Sequence, residues 1–324
     1  MRAFLITESE TNFEAILTDT STEPADHSDL KIRVEYSSIN FKDTMVAIAK
    51  SRVRRAPKLI GGVDAAGEVL ESSDPNFPVG SIVEVHGDGL GVSRDGGFAE
   101  IIYAPSRLAT ILPSNISTKD SQIIGTAGVT AAQSILALEN YGLQPGGEVL
   151  VTGATGGVGS LAVSLLAKRG YKPIASTGSP QESQWLLDQG AVRIIGRDEV
   201  ADKPDRVLGS ELWDGAIDCV GGETLAQILR SLKYGAAVAA SGLLGGPDIP
   251  ATVYPFITRN VALIGIDSVE ASPETRAAAW KLISEAKLDV SGLIDRVATL
   301  EELPGALAAV AKGSTRGRVL VVPN

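Results

Sequence analysis

The sequence predicts an α/β protein in which a doubly wound parallel sheet is inserted into a partly open β-barrel. Three observations carry this. The first 120 residues read as short strands joined by turns, and from residue 148 strands and helices alternate. At the head of the second region, residues 149–160, "VLVTGATGGVGS", break from a β-branched run into a glycine-dense turn almost halfway along the chain.

In "KIRVEYSSIN" (31–40), Ile32, Val34 and Tyr36 alternate with Lys31, Arg33 and Glu35, the period of a half-buried strand. "DAAGEVL", "SIVEV" and "GGFAEIIYA" follow, separated by clusters such as "ESSDPNFPVG". Near residue 120 the style changes to a helical stretch, "STKDSQIIGTAGVTAAQSILALENYG", interrupted at Thr-Ala-Gly. The wound part then reads as strand "EVLVT", helix 157–169, strand "KPIAST", helix 180–189, strands "VRIIG" and "GAIDCV", helix 223–232, and strands "AAVAASG" and "VALIGID". On helix 157–169, Val158, Leu161, Leu165 and Leu166 share one face. After about 267 two further helical stretches precede the closing strand "GRVLVVP". The expected division is 1–122, completed by 267–324, for the barrel, and 123–266 for the wound domain, with a cleft between them.

Composition narrows the function classes. A net charge of −10 with no basic stripe argues against a nucleic-acid partner. A single cysteine leaves no internal disulfide and suits a reducing compartment. "MRAFLITESE" is too acidic for a signal peptide, and no apolar run approaches the ~18 residues of a membrane span. A cytoplasmic protein without a membrane partner is the expectation.

Gly153, Gly156 and Gly159 are spaced three apart, with Gly157 between the last two. Glycines let the chain turn sharply and let backbone approach a ligand, and the free N–H groups of the following helix suit a pyrophosphate. In NAD binders a carboxylate about 20 residues on holds the adenosine ribose. Here Ser179 stands 20 residues after Gly159, with Thr177 beside it. With no carboxylate to repel a 2′-phosphate, NADP is favoured over NAD. The other reading makes Ser179-Pro180-Gln181-Glu182 a helix capping box. No arginine follows directly to strengthen the phosphate reading.

"SSINFKD" (37–43), "GGVDAAGEV" (61–69), "GVSRDGGFAE" (91–100), "GTAGVTAAQSILALE" (125–139) and the glycine turn together resemble the medium-chain dehydrogenase/reductase superfamily, a GroES-like catalytic domain with a Rossmann domain. They look like its zinc-free quinone oxidoreductase branch. "ATVYPFITRNVALIGIDSV" (251–269) and "GRVLVV" are most similar to the YhdH/YhfP and acryloyl-CoA reductase group. In the zinc enzymes of that superfamily a Gly-His-Glu stands where this chain has Gly62-Val63-Asp64, and Ser37 or Ser38 replaces the first catalytic cysteine. No metal site is expected. His27 and His86 are read as surface-loop or strand-end residues, and Cys219 as a small buried one.

The resemblance implies hydride transfer from NADPH to a conjugated acceptor, a short enoyl-CoA such as acryloyl-CoA or else a quinone. A protein that only binds NADPH, in a structural or redox-sensing role, is the reading from another class. Asn40 and Asp43 match the family's active-site strand end and are the candidate catalytic residues. Phe41 stands where tyrosine is frequent and faces substrate. Thr44 and Thr126 fall on the nicotinamide side, Gly156, Gly157, Val158, Gly159 and Ser160 around the pyrophosphate, and Thr177 and Ser179 at the adenosine end. Gly221, Gly242, Leu243 and Gly246 follow the later wound strands. The loop "AKSRVRRAPK" (49–58) offers Arg52, Arg54 and Arg55, with Lys50 and Lys58, to the phosphates of a CoA ester or else to solvent. Residues 251–266 resemble the family's sheet-extending contact, so a homodimer is expected.

Overall fold

In the computed structural model, which describes residues 1–24, 28–200 and 206–323, the chain divides into two units. The first holds residues 1–126, 269–273 and 290–324, and the second holds 127–268 and 274–289. His27 lies outside the described residues.

The first unit opens with strands β1 (Arg2–Glu8), β2 (Phe13–Asp19) and β3 (Leu30–Ile39), the short helix α1 (Phe41–Val46), and strands β4 (Lys58–Ile60) and β5 (Asp64–Ser72). β6 (Ile82–His86), β7 (Ile101–Ala104) and β8 (Ala109–Ile111) follow. Helix α2 (Thr118–Tyr141) begins in this unit and continues in the second. The second unit adds β9 (Glu148–Val151), α3 (Gly157–Lys168), β10 (Lys172–Ser176), α4 (Ser183–Asp188), β11 (Arg193–Ile195) and β12 (Gly215–Asp218). It is completed by α5 (Gly222–Ser231), β13 (Ala237–Ala240), α6 (Tyr254–Arg259), β14 (Ala262–Gly265) and, from Glu274 on, α7 (Pro273–Ala286). β15 (Ile294–Thr299), α8 (Leu303–Ala311) and β16 (Arg318–Val322) return to the first unit. The C-terminal return is therefore split, because α7 clusters with the wound sheet and not with the barrel strands.

Two sheets build the first unit, ordered β2-β1-β4 and β15-β16-β3-β5-β6-β8, with β7 also on β3. Ile32 and Val34 are fully buried as the alternation predicts, each burial contributing roughly 1.5–3 kcal/mol. The alternation stops at a register shift between Val34 and Tyr36, which leaves Tyr36 only half-buried. Such a bulge turns the strand, and Ser37, Ser38 and Ile39 beyond it are all buried. There β16 joins β3 antiparallel, with Val319 opposite Ile39 and Leu320 opposite Ser38.

The second unit is a six-stranded parallel sheet, order β11-β10-β9-β12-β13-β14. The strand order reverses at β9, the switch point where such sheets bind ligands beyond their carboxyl ends. Leu161, Leu165 and Leu166 of α3 are fully buried, whereas Val158 stays partly exposed in its first turn. The helix expected over 180–189 is a single 3-10 turn, Pro180–Glu182, followed by α4.

Helix α2 departs from an expectation. By length and composition it is apolar enough to cross a membrane, yet 83% of that window is buried inside the protein. Its interruption falls at Gly125, where φ is +49° and the backbone leaves the helix.

Candidate functional site

Two constellations emerge, one in each unit. In the second unit the site is made of backbone. β9 ends at Val151, the chain turns through Gly153, and Gly156 caps α3 with extended dihedrals. The turn must be thin, because a Cβ on Gly159 would lie 2.8 Å from both the Gly153 carbonyl carbon and the Ala154 Cα. Gly156, Gly157 and Val158 remain partly or fully open at the helix start. Ser160 does not belong with them: it is fully buried, its N–H donates to the Gly156 carbonyl, and its hydroxyl donates to that of Gly157.

The neighbouring strand ends complete this edge. Asp218, at the end of β12, is buried and accepts hydrogen bonds from the Thr152 hydroxyl (2.6 Å) and the Gly221 N–H (2.7 Å). Burial pushes its carboxyl above the usual range, opposed by those hydrogen bonds. Beyond β13, a Cβ on Gly242 would stand 2.6 Å from the Cys219 Cα, so the two loops touch backbone to backbone. Leu243 is exposed and Gly246 turns with φ +112°. Cys219 itself is partly exposed.

At the adenosine end the capping-box reading fails. Ser179 precedes the 3-10 turn but makes no side-chain cap bond, and its N–H donates to Thr177 Oγ1 at 3.0 Å. An arginine is present after all. Parallel pairing of β10 with β11 sets Ser176 opposite Ile195, which carries the exposed Arg197 to Gly178. A Cβ at Gly178 would lie 2.5 Å from Arg197 Nη2, so the guanidinium packs on the glycine between Thr177 and Ser179. This contact is hidden in the sequence by the helix that separates the two strands.

In the first unit the site is made of side chains. Asp64, fully buried at the start of β5, accepts four hydrogen bonds. Ser38 Oγ, Asn40 Nδ2 and the Thr126 N–H donate to Oδ2 at 2.8, 2.8 and 3.1 Å, and the Thr126 hydroxyl donates to Oδ1. Arg318, buried at the head of β16, donates to the Ile123 carbonyl (3.0 Å), Ser38 Oγ (2.7 Å), Asn40 Oδ1 (3.3 Å) and the Ile39 carbonyl (3.3 Å). Its Nη2 is 3.7 Å from Asp64 Oδ2. Burial pulls the guanidinium down from its usual range, and Asp64 and Asp43 oppose this. Gly125 is required beside this pair, since a Cβ there would stand 2.5 Å from Asp64 Oδ2.

Asp43 is buried in α1 and accepts the N–H groups of Asn40 (2.7 Å) and Val63 (3.0 Å). Desolvation raises its pKa to about 7, with Asp64 adding to the shift and the two N–H bonds opposing it. Thr44 is nearly buried and its hydroxyl donates to the Phe41 carbonyl, while Phe41 is half-buried at the helix start.

The structure thus gathers Asn40, Asp43 and Thr126 and adds Ser38, Asp64 and Arg318. It corrects the basic loop. Arg52 and Arg55 are exposed, but Arg54 is buried, paired with Glu8 and donating to the carbonyls of Val46 (2.6 Å) and Ile48 (2.9 Å). That guanidinium ties the loop down and is not offered to a phosphate. His86 ends β6 as expected but is buried, its Nδ1 2.7 Å from Glu84 Oε2. Among the described residues no group of three or more His, Cys, Asp or Glu side chains is disposed to hold a metal ion.

Comparison with known proteins follows the same two-part division. Residues 26–114 match the alcohol dehydrogenase GroES-like domain, and residues 157–285 match the domain described as zinc-binding dehydrogenase. The chain is 47% identical over 304 residues to the putative quinone oxidoreductase YhfP of Bacillus subtilis, covering 93% of this chain and 92% of that one. It is 42% identical over 299 residues to the acrylyl-CoA reductase AcuI of Ruegeria pomeroyi, covering 91% and 90%. Among solved structures, Bacillus subtilis YhfP with NAD bound superimposes with a TM-score of 0.95 at 44% identity, over 99% and 98% of the two chains. The YhdH oxidoreductase of Salmonella enterica in complex with NADP gives 0.94 at 38% identity, over the whole of both chains.

Proposed function

The chain belongs to the medium-chain dehydrogenase/reductase superfamily, in the group of YhfP, AcuI and YhdH, and from that premise we propose that it is an NADPH-dependent reductase of an activated C=C bond, acting on a short enoyl-CoA such as acryloyl-CoA. The observation that carries the cofactor reading is the open backbone edge of the second unit. A Cβ at Gly159 or Gly242 would run into backbone, and Arg197 packs on Gly178 between Thr177 and Ser179, where a 2′-phosphate would lie. The NADP complex of Salmonella YhdH supports this choice, while the NAD complex of YhfP makes the preference a quantity to measure.

The group bound there supplies a hydride, which adds to the β-carbon while the π electron pair moves toward the carbonyl oxygen and a proton ends on the α-carbon. Gly156, Gly157 and the first N–H groups of α3 would hold the pyrophosphate, and Gly221, Gly242, Leu243 and Gly246 line the neighbouring strand ends. In the first unit Asn40 orients the acceptor and Asp43 holds the turn that carries it, with water delivering the proton. Such a reaction needs orientation and hydrogen-bond donors at the oxygen that gains charge, and no acid–base histidine. Arg52 and Arg55, with Lys50 and Lys58, are the exposed cations for the CoA phosphates. The 42% identity to AcuI supports the thioester, and the 47% identity to YhfP, named a putative quinone oxidoreductase, makes a quinone the rival acceptor to test.

A second copy of the chain is the proposed partner. β14 pairs with β13 alone among the described strands, and beside it Val253, Tyr254 and Ile257 are 64%, 50% and 73% exposed. Sedimentation velocity on Ile257→Lys should show a monomer where the parent chain sediments as a dimer. A cytoplasmic location is proposed from the single free thiol.

The experiment that tests the function is single-turnover oxidation of NADPH and NADH with acryloyl-CoA, a vinyl ketone and a benzoquinone side by side. Fastest turnover with acryloyl-CoA and NADPH is expected, with a raised KM for the thioester alone in Arg52→Gln/Arg55→Gln. Turnover confined to the quinone would overturn the acceptor. Cofactor binding without turnover of any acceptor would leave a binding protein.

A further inference from the structure

Asn40 and Thr126 are the two partly exposed members of the Asp64 cluster, while Ser38, Asp64 and Arg318 are buried. The Asn40 amide lies between opposite demands, with Nδ2 donating to Asp64 Oδ2 at 2.8 Å and Oδ1 accepting from Arg318 Nη1 at 3.3 Å. Turned end for end, it would set oxygen against carboxylate and NH2 against guanidinium, two repulsions in a poorly solvated place. Its orientation is therefore fixed, with one N–H on Asp64 and the other directed by the same plane. Thr126 gives both its N–H and its O–H to the same carboxylate, so its hydroxyl oxygen serves other partners only as an acceptor. Ser38 locks the arrangement by donating to Asp64 while accepting from Arg318.

We propose that Asp64 and Arg318 are positioning residues that set the hydrogen-bond polarity of the site, making Asn40 a committed N–H donor and Thr126 a committed acceptor. Neither touches substrate. Resting on the reading of the reaction as C=C reduction, the committed donor meets the carbonyl oxygen that gains negative charge as hydride reaches the β-carbon, and the committed acceptor selects N–H-bearing ligands. The four bonds into Asp64 use both oxygens: an amide with its oxygen in the Oδ2 place keeps Ser38, Asn40 and the Thr126 N–H, but it forces the Thr126 hydroxyl to accept, and an apolar side chain of the same shape removes all four acceptor sites and frees Asn40.

The test is a double-mutant cycle between Asp64→Leu and Asn40→Ala, read as kcat, KM and NADPH affinity, with melting temperature as a control on folding. Loss of a donor to a developing oxyanion costs 10²–10³ in kcat, so misdirecting one should cost at least about tenfold. The expected result is that fall in kcat for each single variant, NADPH affinity within about threefold, and no further fall in the double variant, because both remove the same oriented N–H. Effects that multiply, or an Asp64→Leu kcat within about twofold of the parent, would overturn the proposal. Should Asp64→Leu fail to fold, Ser38→Ala keeps both charges and removes the lock. A fall of about threefold or more in its kcat, absent in the Asn40→Ala background, supports the proposal, and an unchanged kcat overturns it. The reaction reading is judged separately on the parent chain: if it reduces no conjugated carbonyl, that reading fails whatever the variants do.

Discussion

The two constellations, one in each unit, are built from different materials. In the second unit a ligand would meet backbone: Gly156 and Gly157 at the head of α3, over the buried Gly159, and Gly242 beyond β13. In the first unit it would meet side chains held by side chains, Asn40 and Thr126 on Asp64 and Arg318. A backbone site is made by removing Cβ atoms, so one added methyl can close it. A side-chain site is made by satisfying buried polar groups, so its failures come through charge and orientation while the shape survives.

The sharpest way to break the comparison is at Gly159. An added Cβ there would lie 2.8 Å from the Gly153 carbonyl carbon and the Ala154 Cα, and both are backbone atoms with no rotamer to move. The head of α3 must then shift away from the turn. Gly159→Ala should weaken NADPH binding about 100-fold or more, roughly 2.7 kcal/mol, in a fluorescence titration. The first unit's pH behaviour should stay unchanged. Affinity within about threefold of the parent would show that the turn yields and that the backbone is not the determinant.

This difference in material also decided what could be read from the sequence. The glycine spacing, the strand before it and the helix after it are local, so the wound sheet and its open edge were legible. So was the alternation of Ile32 and Val34, up to the bulge that turned Ser37, Ser38 and Ile39 inward. Arg54 looked like its neighbours Arg52 and Arg55 because nothing local announces Glu8 as its partner. The Asp64 cluster draws on residues 38, 40, 64, 126 and 318, which only the pairing of β3 with both β5 and β16 and the break at Gly125 bring together. Two cues were nonetheless present: the carboxylate of Asp64 among the small residues of "GGVDAAG", and a lone arginine heading the otherwise apolar "RVLVV". A charge with no polar company in a buried pattern implies a distant partner.

A smaller effect, on stability, probes the first unit. The Asp43 carboxyl is raised to about 7 in the folded chain, chiefly by desolvation, from a usual value of 3.8. The folded state then holds the proton more tightly than the unfolded state. The resulting stability is fully present below pH 4 and is lost as pH rises through 7. Between pH 5 and pH 8 the loss is on the order of 2 kcal/mol. Urea midpoints across that range should therefore fall for the parent chain, and fall less steeply for Asp43→Asn, which cannot titrate. Parallel slopes for the two would show that Asp43 is ionised throughout and that its two backbone N–H bonds outweigh its burial.

The smallest effect sharpens the comparison, because at the adenosine end the second unit does use side chains. Arg197 packs on Gly178 and is exposed, so a phosphate bound there stays partly hydrated and each contact is worth less than in a dry pocket. Arg197→Gln should lower the ratio of NADPH to NADH affinity by about tenfold, or ~1.4 kcal/mol, mostly by weakening NADPH. The loss should shrink as salt is raised. Ser179→Ala, removing a neutral donor, should lower the ratio by only about threefold. If Arg197→Gln weakens both cofactors equally, the arginine holds the loop and not the 2′-phosphate, and the discrimination falls to Thr177 and Ser179. If Ser179→Ala instead has the larger effect, a hydroxyl aligned by the Thr177 hydrogen bond outweighs a mobile cation. The adenosine end would then obey the rule of the first unit, where orientation by a neighbour counts for more than the charge itself.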